Sequence, residues 1–179
     1  MDSTVTPAFK AFTEFNAVMS VEYDEVVSTA LNKDYWRVMD AFKFYMDDPS
    51  DERWVYVPLH YLTDGATVPR FLWGLIPPWG RYGQAAVLHD YLCETLTVIE
   101  QGKPVAITRT QADKALKEAM EALDVPRWKR NVMYIGVRIY GTLARIKGPH
   151  IDPGKAKYAA QWDAPPVVSS VTVPPPAAV

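Results

Sequence analysis

Two apolar helical stripes, each carrying an ionisable residue at its border, constrain this chain more than any other feature. In the first, over residues 81–96, His89 has Ala85, Ala86, Leu92 and Cys93 as its i−4, i−3, i+3 and i+4 neighbours, so the imidazole shares the face that must turn inward. In the second, Ala112, Leu116, Ala119, Met120 and Leu123 recur at helical spacing, with Asp113 beside them. A chain that buries both stripes must pair the two helices. An antiparallel pair brings Asp113, 24 residues after His89, up to the imidazole. Asp90 lies about 100 degrees further round the first helix and flanks the buried stripe.

That placement has a chemistry. A carboxylate that fixes the tautomer of a histidine makes it a general base, and a second carboxylate can hold a hard cation. His89 and Asp113 are therefore the catalytic candidates and Asp90 the candidate ligand of a hard cation. The same residues have plainer roles. Asp113 is the fourth residue of Thr110-Gln111-Ala112-Asp113, a capping-box pattern that would turn its carboxylate towards its own helix. A single histidine on an apolar face commonly serves as a hydrogen-bonded core residue. Asp64 is either a further metal ligand or an Asx-turn residue that organises Thr63-Asp64-Gly65. His60, His89 and His150 lack the spacing of a transition-metal site.

With 179 residues, 49% of them hydrophobic, the chain can build one core but not two comfortable ones. No apolar run approaches the ~20 residues that span a bilayer, and no basic-then-apolar leader opens the chain, so neither a transmembrane segment nor a signal peptide is expected. The single cysteine, Cys93, excludes an internal disulfide and sits on the core face as a packing residue. The charge is unevenly spread. Residues 1–124 hold 11 Lys+Arg against 19 Asp+Glu, whereas 125–157 hold 8 against 1. A basic segment on an acidic body points to an anionic contact: a membrane surface or phospholipid, an acidic protein face or, least expected, nucleic acid. Internal pairing with the acidic body is the alternative.

The pattern predicts an α+β chain with a short antiparallel sheet on three helices. Residues 1–34 are weakly patterned, 35–147 form the globular domain, and 148–179, rich in Pro, Ala and Val, form a flexible tail. Tyr35 to Met46 alternates as one strand interrupted by Asp40, and Asp47–Asp51 turns into a second strand over 53–59. Residues 60–80, dense in Pro and Gly, read as an ordered loop, and Gln101–Pro104 as a turn. A third helix starts with Asp124 as N-cap and runs to about Ile146. Trp128, Val132, Ile135, Ile139 and Ile146 line one face as core or interface. Arg127, Arg130, Tyr134, Arg138 and Arg145 line an exposed one, so Arg127, Trp128, Arg130 and Arg138 are the candidate anion or membrane contacts.

Several ordered motifs carry a resemblance. Tyr61-Leu62-Thr63-Asp64-Gly65-Ala66-Thr67-Val68-Pro69-Arg70-Phe71-Leu72-Trp73, Gly80-Arg81-Tyr82, Ala85-Ala86-Val87-Leu88-His89-Asp90-Tyr91-Leu92, Ala112-Asp113 and Val125-Pro126-Arg127-Trp128-Lys129-Arg130 resemble an uncharacterised domain family common in tailed bacteriophages and prophages. That resemblance implies a phage protein in the host cytoplasm or the virion, with virion proteins as partners. Part of the pattern is also similar to secreted and parvoviral phospholipases of the A2 type, in which a helix carries His-Asp-x-x-Tyr and a later helix supplies an Asp to the histidine. That likeness implies calcium-assisted ester hydrolysis, with His89 and Asp113 catalytic and Asp90 on the metal. The sequence departs from it twice. Cys93 stands at the tyrosine position, and no Tyr-x-Gly-x-Gly calcium loop is present, which leaves Gly80 and Tyr82, or Thr63-Asp64-Gly65, as substitute ligands.

Overall fold

The computed structural model describes residues 14–46, 53–65, 80–143 and 148–159. Over these the architecture is α+β. Strands β1 (Glu14–Phe15), β4 (Phe42–Met46), β5 (Arg53–Val57), β7 (Thr97–Glu100) and β8 (Lys103–Ala106) form an antiparallel sheet in the order β1-β4-β5-β7-β8. Strands β2 (Val21–Tyr23), β3 (Trp36–Val38) and β6 (Leu62–Thr63) form a smaller one in the order β2-β3-β6. Helices α2 (Gly83–Thr95) and α3 (Arg109–Ala122) pack on the larger sheet, α4 (Arg127–Leu143) packs on α3, and α1 (Glu25–Leu31) packs against α5 (Pro153–Ala159). Among the described residues no helix is long and apolar enough to cross a membrane.

The β4–β5 hairpin follows the expected pairing, with Phe42 opposite Val57 and Phe44 opposite Val55. Phe42, Phe44 and Val57 are wholly buried and carry the main core. The single strand expected over 35–46 is instead two strands in different sheets. Continuing it would drive Asp40 into the core beside Val38 and Phe42, so the chain bends there and exposes the carboxylate. β3 then keeps a buried cation, because Arg37 donates to Asp24 at 2.5 Å and to the His60 carbonyl at 3.2 Å.

The described part of residues 1–34, expected to be weakly ordered, contributes β1, β2 and α1. β1 pairs with β4 and β2 with β3, and Asp24 caps α1 by accepting from the Val27 amide at 2.9 Å. These strands are two or three residues long, too short to produce a periodic signal. The tail expected over 148–179 likewise contains α5, whose start Asp152 caps through bonds from the Gly154 and Lys155 amides. Residues 160–179 and most of the Pro- and Gly-rich loop, including Trp73 and Trp79, lie outside the described residues.

Gln101 and Gly102 both have positive φ, 50° and 74°, and link Glu100 to its partner Lys103. This two-residue turn closes a β7–β8 hairpin where only the turn was expected. Pro104 fits in β8 because that strand forms the sheet edge. Asp124, expected to start the third helix, ends α3 instead. Its φ is 52°, its amide bonds the Glu121 carbonyl, and the Val125 amide bonds Met120, a Schellman closure. The turn conformation yields a test by urea denaturation. Gly102→Ala should cost about 1 kcal/mol, because an alanine resists positive φ, whereas Gln101→Asn should add a few tenths of a kcal/mol. An equal effect of both substitutions would contradict this turn.

Candidate active site

α2 is buried nearly all round, from Gly83 to Cys93, as suits a helix with sheet on one side and helices on the other. Successive residues on it differ by about 100 degrees, so His89 and Asp90 look towards different neighbours. His89 faces α3, and its Nε2 lies 2.8 Å from Asp113 Oδ1. Only 7% of His89 and 1% of Asp113 are exposed. The competing capping role falls to other residues. Thr108 caps α3, accepting from the Gln111 amide while Gln111 accepts from the Thr108 amide, and so frees Asp113 for the imidazole.

The second Asp113 oxygen, Oδ2, accepts from Arg138 Nη1 of α4 at 3.2 Å, and the same Nη1 donates to Thr110 Oγ1 at 2.8 Å. Burial would raise the Asp113 carboxyl, but the bonds from His89 and Arg138 outweigh it and hold it below the usual carboxylate range. The Cys93 thiol lies 3.4 Å from Nε2 and 3.8 Å from the other imidazole nitrogen, Nδ1, the outer limit of a sulfur hydrogen bond. Burial pushes that thiol up to about 12, so Cys93 is a neutral packing group, as expected from sequence. The donor atoms of His89, Cys93 and Asp113 lie within 4.8 Å of one another. A metal among them would have to take a deprotonated thiol and open the His89–Asp113 bond.

Asp90, about 100 degrees further round α2, turns to the next flank, where Thr63 Oγ1 donates to its Oδ2 at 3.0 Å and the Gly65 amide donates to the same hydroxyl at 3.0 Å. Asp64 is close enough that its charge, after burial, raises the Asp90 carboxyl well above the usual range, with Lys155 and Thr63 opposing. Two ammonium groups enter this acidic flank. Lys33 bonds Asp64, and Lys155, only 5% exposed, bonds Glu94 and, at 3.0 Å, the Tyr61 hydroxyl. The acidic flank around Asp90 and Asp64 is thus balanced by two lysines. Gly80 and Tyr82 are not in it. They line a cavity of about 380 Å³ with Arg81, Asp124 and Lys129. Tyr82, the N-cap of α2, lies about 12 Å along the helix axis from Asp90.

The arginine row of α4 is also placed otherwise than expected. Arg138 reaches Asp113 and Arg130 pairs with Glu121 at 2.6 Å, so both turn towards the body. The outward face is the apolar one, with Trp128, Val132, Ile135 and Ile139 between 40% and 54% exposed. Arg127 is exposed at the start of the helix. Arg138 is drawn to the buried Asp113 and Arg130 to the exposed Glu121 across the α3–α4 contact, pairings that helical periodicity does not register.

An α+β domain with a His–Asp pair between two core helices and a carboxylate on the next helical face is the class these features define. The chain belongs to a family described as a protein of unknown function (DUF1353), whose pattern matches residues 36–137. It is also 37% identical over 102 residues to the uncharacterized protein y4jT of Sinorhizobium fredii (strain NBRC 101917 / NGR234), an alignment that covers 55% of this chain and 27% of that protein. The chain therefore spans about a quarter of the length of that relative. No solved structure matches.

The lowered Asp113 carboxyl makes stability depend on pH. A depressed carboxyl contributes stability that is complete above its ordinary value of 3.8 and is lost as pH falls through its lower folded value. The melting-temperature gap between wild type and Asp113→Asn should be widest above about pH 5 and narrow steadily below pH 4. A gap independent of pH would contradict an ionised Asp113 in the fold.

Proposed function

We propose that His89 and Asp113 form the general-base dyad of a hydrolase acting on a carboxylic ester, with phospholipid as one candidate substrate. The observation that carries this reading is the asymmetry of the imidazole. Nε2 is anchored to a carboxylate at 2.8 Å, while among the described residues Nδ1 meets only the Cys93 thiol, at 3.8 Å and nearer to Nε2 (3.4 Å). A purely structural histidine gains by bonding both nitrogens, whereas a base needs one lone pair left available. In the reaction, Nδ1 takes a proton from water as the oxygen adds to the ester carbonyl, and returns it to the departing alkoxide. Asp113 holds the imidazolium formed between those steps. Asp90 and Asp64 would hold calcium, which when bound polarises the ester carbonyl and stabilises the oxyanion.

A second reading rests on Arg138. Because Asp113 also accepts from α4, the trio His89–Asp113–Arg138 can act as a clasp in a non-enzymatic virion or assembly component, the role suggested by the likeness to phage proteins. Substituting His89 by glutamine separates the two. Glutamine keeps a donor and an acceptor but has no titratable nitrogen, so calcium-dependent ester hydrolysis should fall at least about 100-fold while stability drops by only about 1 kcal/mol. Absence of wild-type hydrolysis, with His89→Gln unfolding the protein, would establish the clasp.

The ion has its own test. A carboxyl raised in the fold costs stability as pH rises from 3.8 towards its folded value, so without calcium Asp90→Asn should melt no lower than wild type at pH 7. Millimolar calcium should then raise the wild-type midpoint by mass action and leave Asp90→Asn unmoved. Equal calcium shifts in both proteins would remove Asp90 from the site.

A further inference from the structure

α4 is more amphipathic than α2 or α3, and it is mounted with its apolar side out. None of its residues is buried, and it packs on the body through partly buried Met133 and Val137 and the ion pairs of Arg130 and Arg138. The opposite side presents Trp128, Val132, Ile135, Ile139 and Leu143, between 40% and 78% exposed, with Tyr140 beside them at 62%. The stripe contains no charged residue. A continuous apolar strip of this kind marks a surface that is covered in use.

We propose that this stripe is a docking surface for an anionic lipid bilayer, on which α4 lies in the plane of the headgroups. Two observations favour lipid over a second copy of the chain. The first is area. Five half-exposed side chains on one convex helix can withdraw on the order of 500 Å² from water, short of the ~800 Å² that each partner of a stable complex buries. A bilayer surrounds a single helix and requires no matching protein shape.

The second is charge. Of the eight basic residues in 125–157, Arg138 and Lys155 pair with the buried Asp113 and half-buried Glu94, and Arg130 pairs with the exposed Glu121. Arg127 and Lys129 stand at the start of α4, beside Trp128, and α4 itself contains no acidic residue. Trp128, with the Lys129 ammonium 5.4 Å above its ring, stands at one end of the stripe as an aromatic of the kind that settles at headgroup depth. The docking stands on α4 alone and holds whether His89 is a base or part of a clasp.

Sedimentation of the full chain with vesicles tests it, comparing phosphatidylglycerol–phosphatidylcholine mixtures with pure phosphatidylcholine. The chain should bind the anionic vesicles, bind the neutral ones at least about tenfold more weakly, and release in 0.5 M salt. Ile135→Asp/Ile139→Asp should lose anionic-vesicle binding by about tenfold or more with an unchanged melting midpoint, since both side chains point away from the core. Arg127→Glu/Lys129→Glu should weaken binding only to the anionic vesicles. Equal binding by wild type and Ile135→Asp/Ile139→Asp, or no wild-type binding, overturns the proposal. A wild-type dimer in sedimentation velocity that Ile135→Asp/Ile139→Asp dissociates, without vesicle binding, assigns the stripe to self-association instead.

Discussion

One carboxylate joins three helices. Asp113 belongs to α3, takes a hydrogen bond from His89 of α2 on one oxygen and one from Arg138 of α4 on the other, and is almost completely buried. A buried carboxylate without such partners would cost several kcal/mol, so the positions of α2 and α4 around α3 are conditions for burying it at all. α2 is held by sheet packing as well. α4 buries no residue, and its seat rests on Met133, Val137 and the arginine pairs. The orientation of α4, and with it the outward turn of the apolar stripe, follows from this electrostatic demand.

The same geometry divides the functional candidates between two flanks of α2. On one flank an imidazole is fixed by a carboxylate and backed by a neutral thiol. On the other, Lys33 from the α1–β3 link pairs with Asp64 and Lys155 from α5 pairs with Glu94, beside Asp90. The two flanks are adjacent in sequence but differently charged, one holding an imidazole against a carboxylate and the other carboxylates against ammonium groups. Lys155 ties the C-terminal helix to this second flank, so the part of the chain most distant in sequence shapes the environment of Asp90.

The His89–Asp113 pair was legible in the sequence because each residue sits on or beside an apolar helical stripe, and antiparallel pairing of the two stripes brings them together, although the sequence left a capping role for Asp113 open. The β4–β5 hairpin was legible for the same reason, as period-two alternation over five residues. What escaped was decided by tertiary competition. Asp40 broke a strand to stay in water. Thr108 took over a cap that Thr110 and Asp113 also offered. Arg130 and Arg138 turned inward because Glu121 and Asp113 lie across the α3–α4 contact, whereas amphipathicity reports that a helix has two faces and leaves open which one meets the body. β1, β2 and α5 were too short to leave a periodic trace.

The central claim is that Asp113 holds the His89 proton on Nε2 and leaves the Nδ1 lone pair free. Nitrogen-15 NMR of the histidine ring at pH 7.5 tests it directly, since protonated and unprotonated ring nitrogens resonate far apart. The account predicts a single, slowly exchanging proton on Nε2, an unprotonated Nδ1, and loss of that slow exchange in Asp113→Asn. A proton resident on Nδ1, or on both nitrogens, would contradict it.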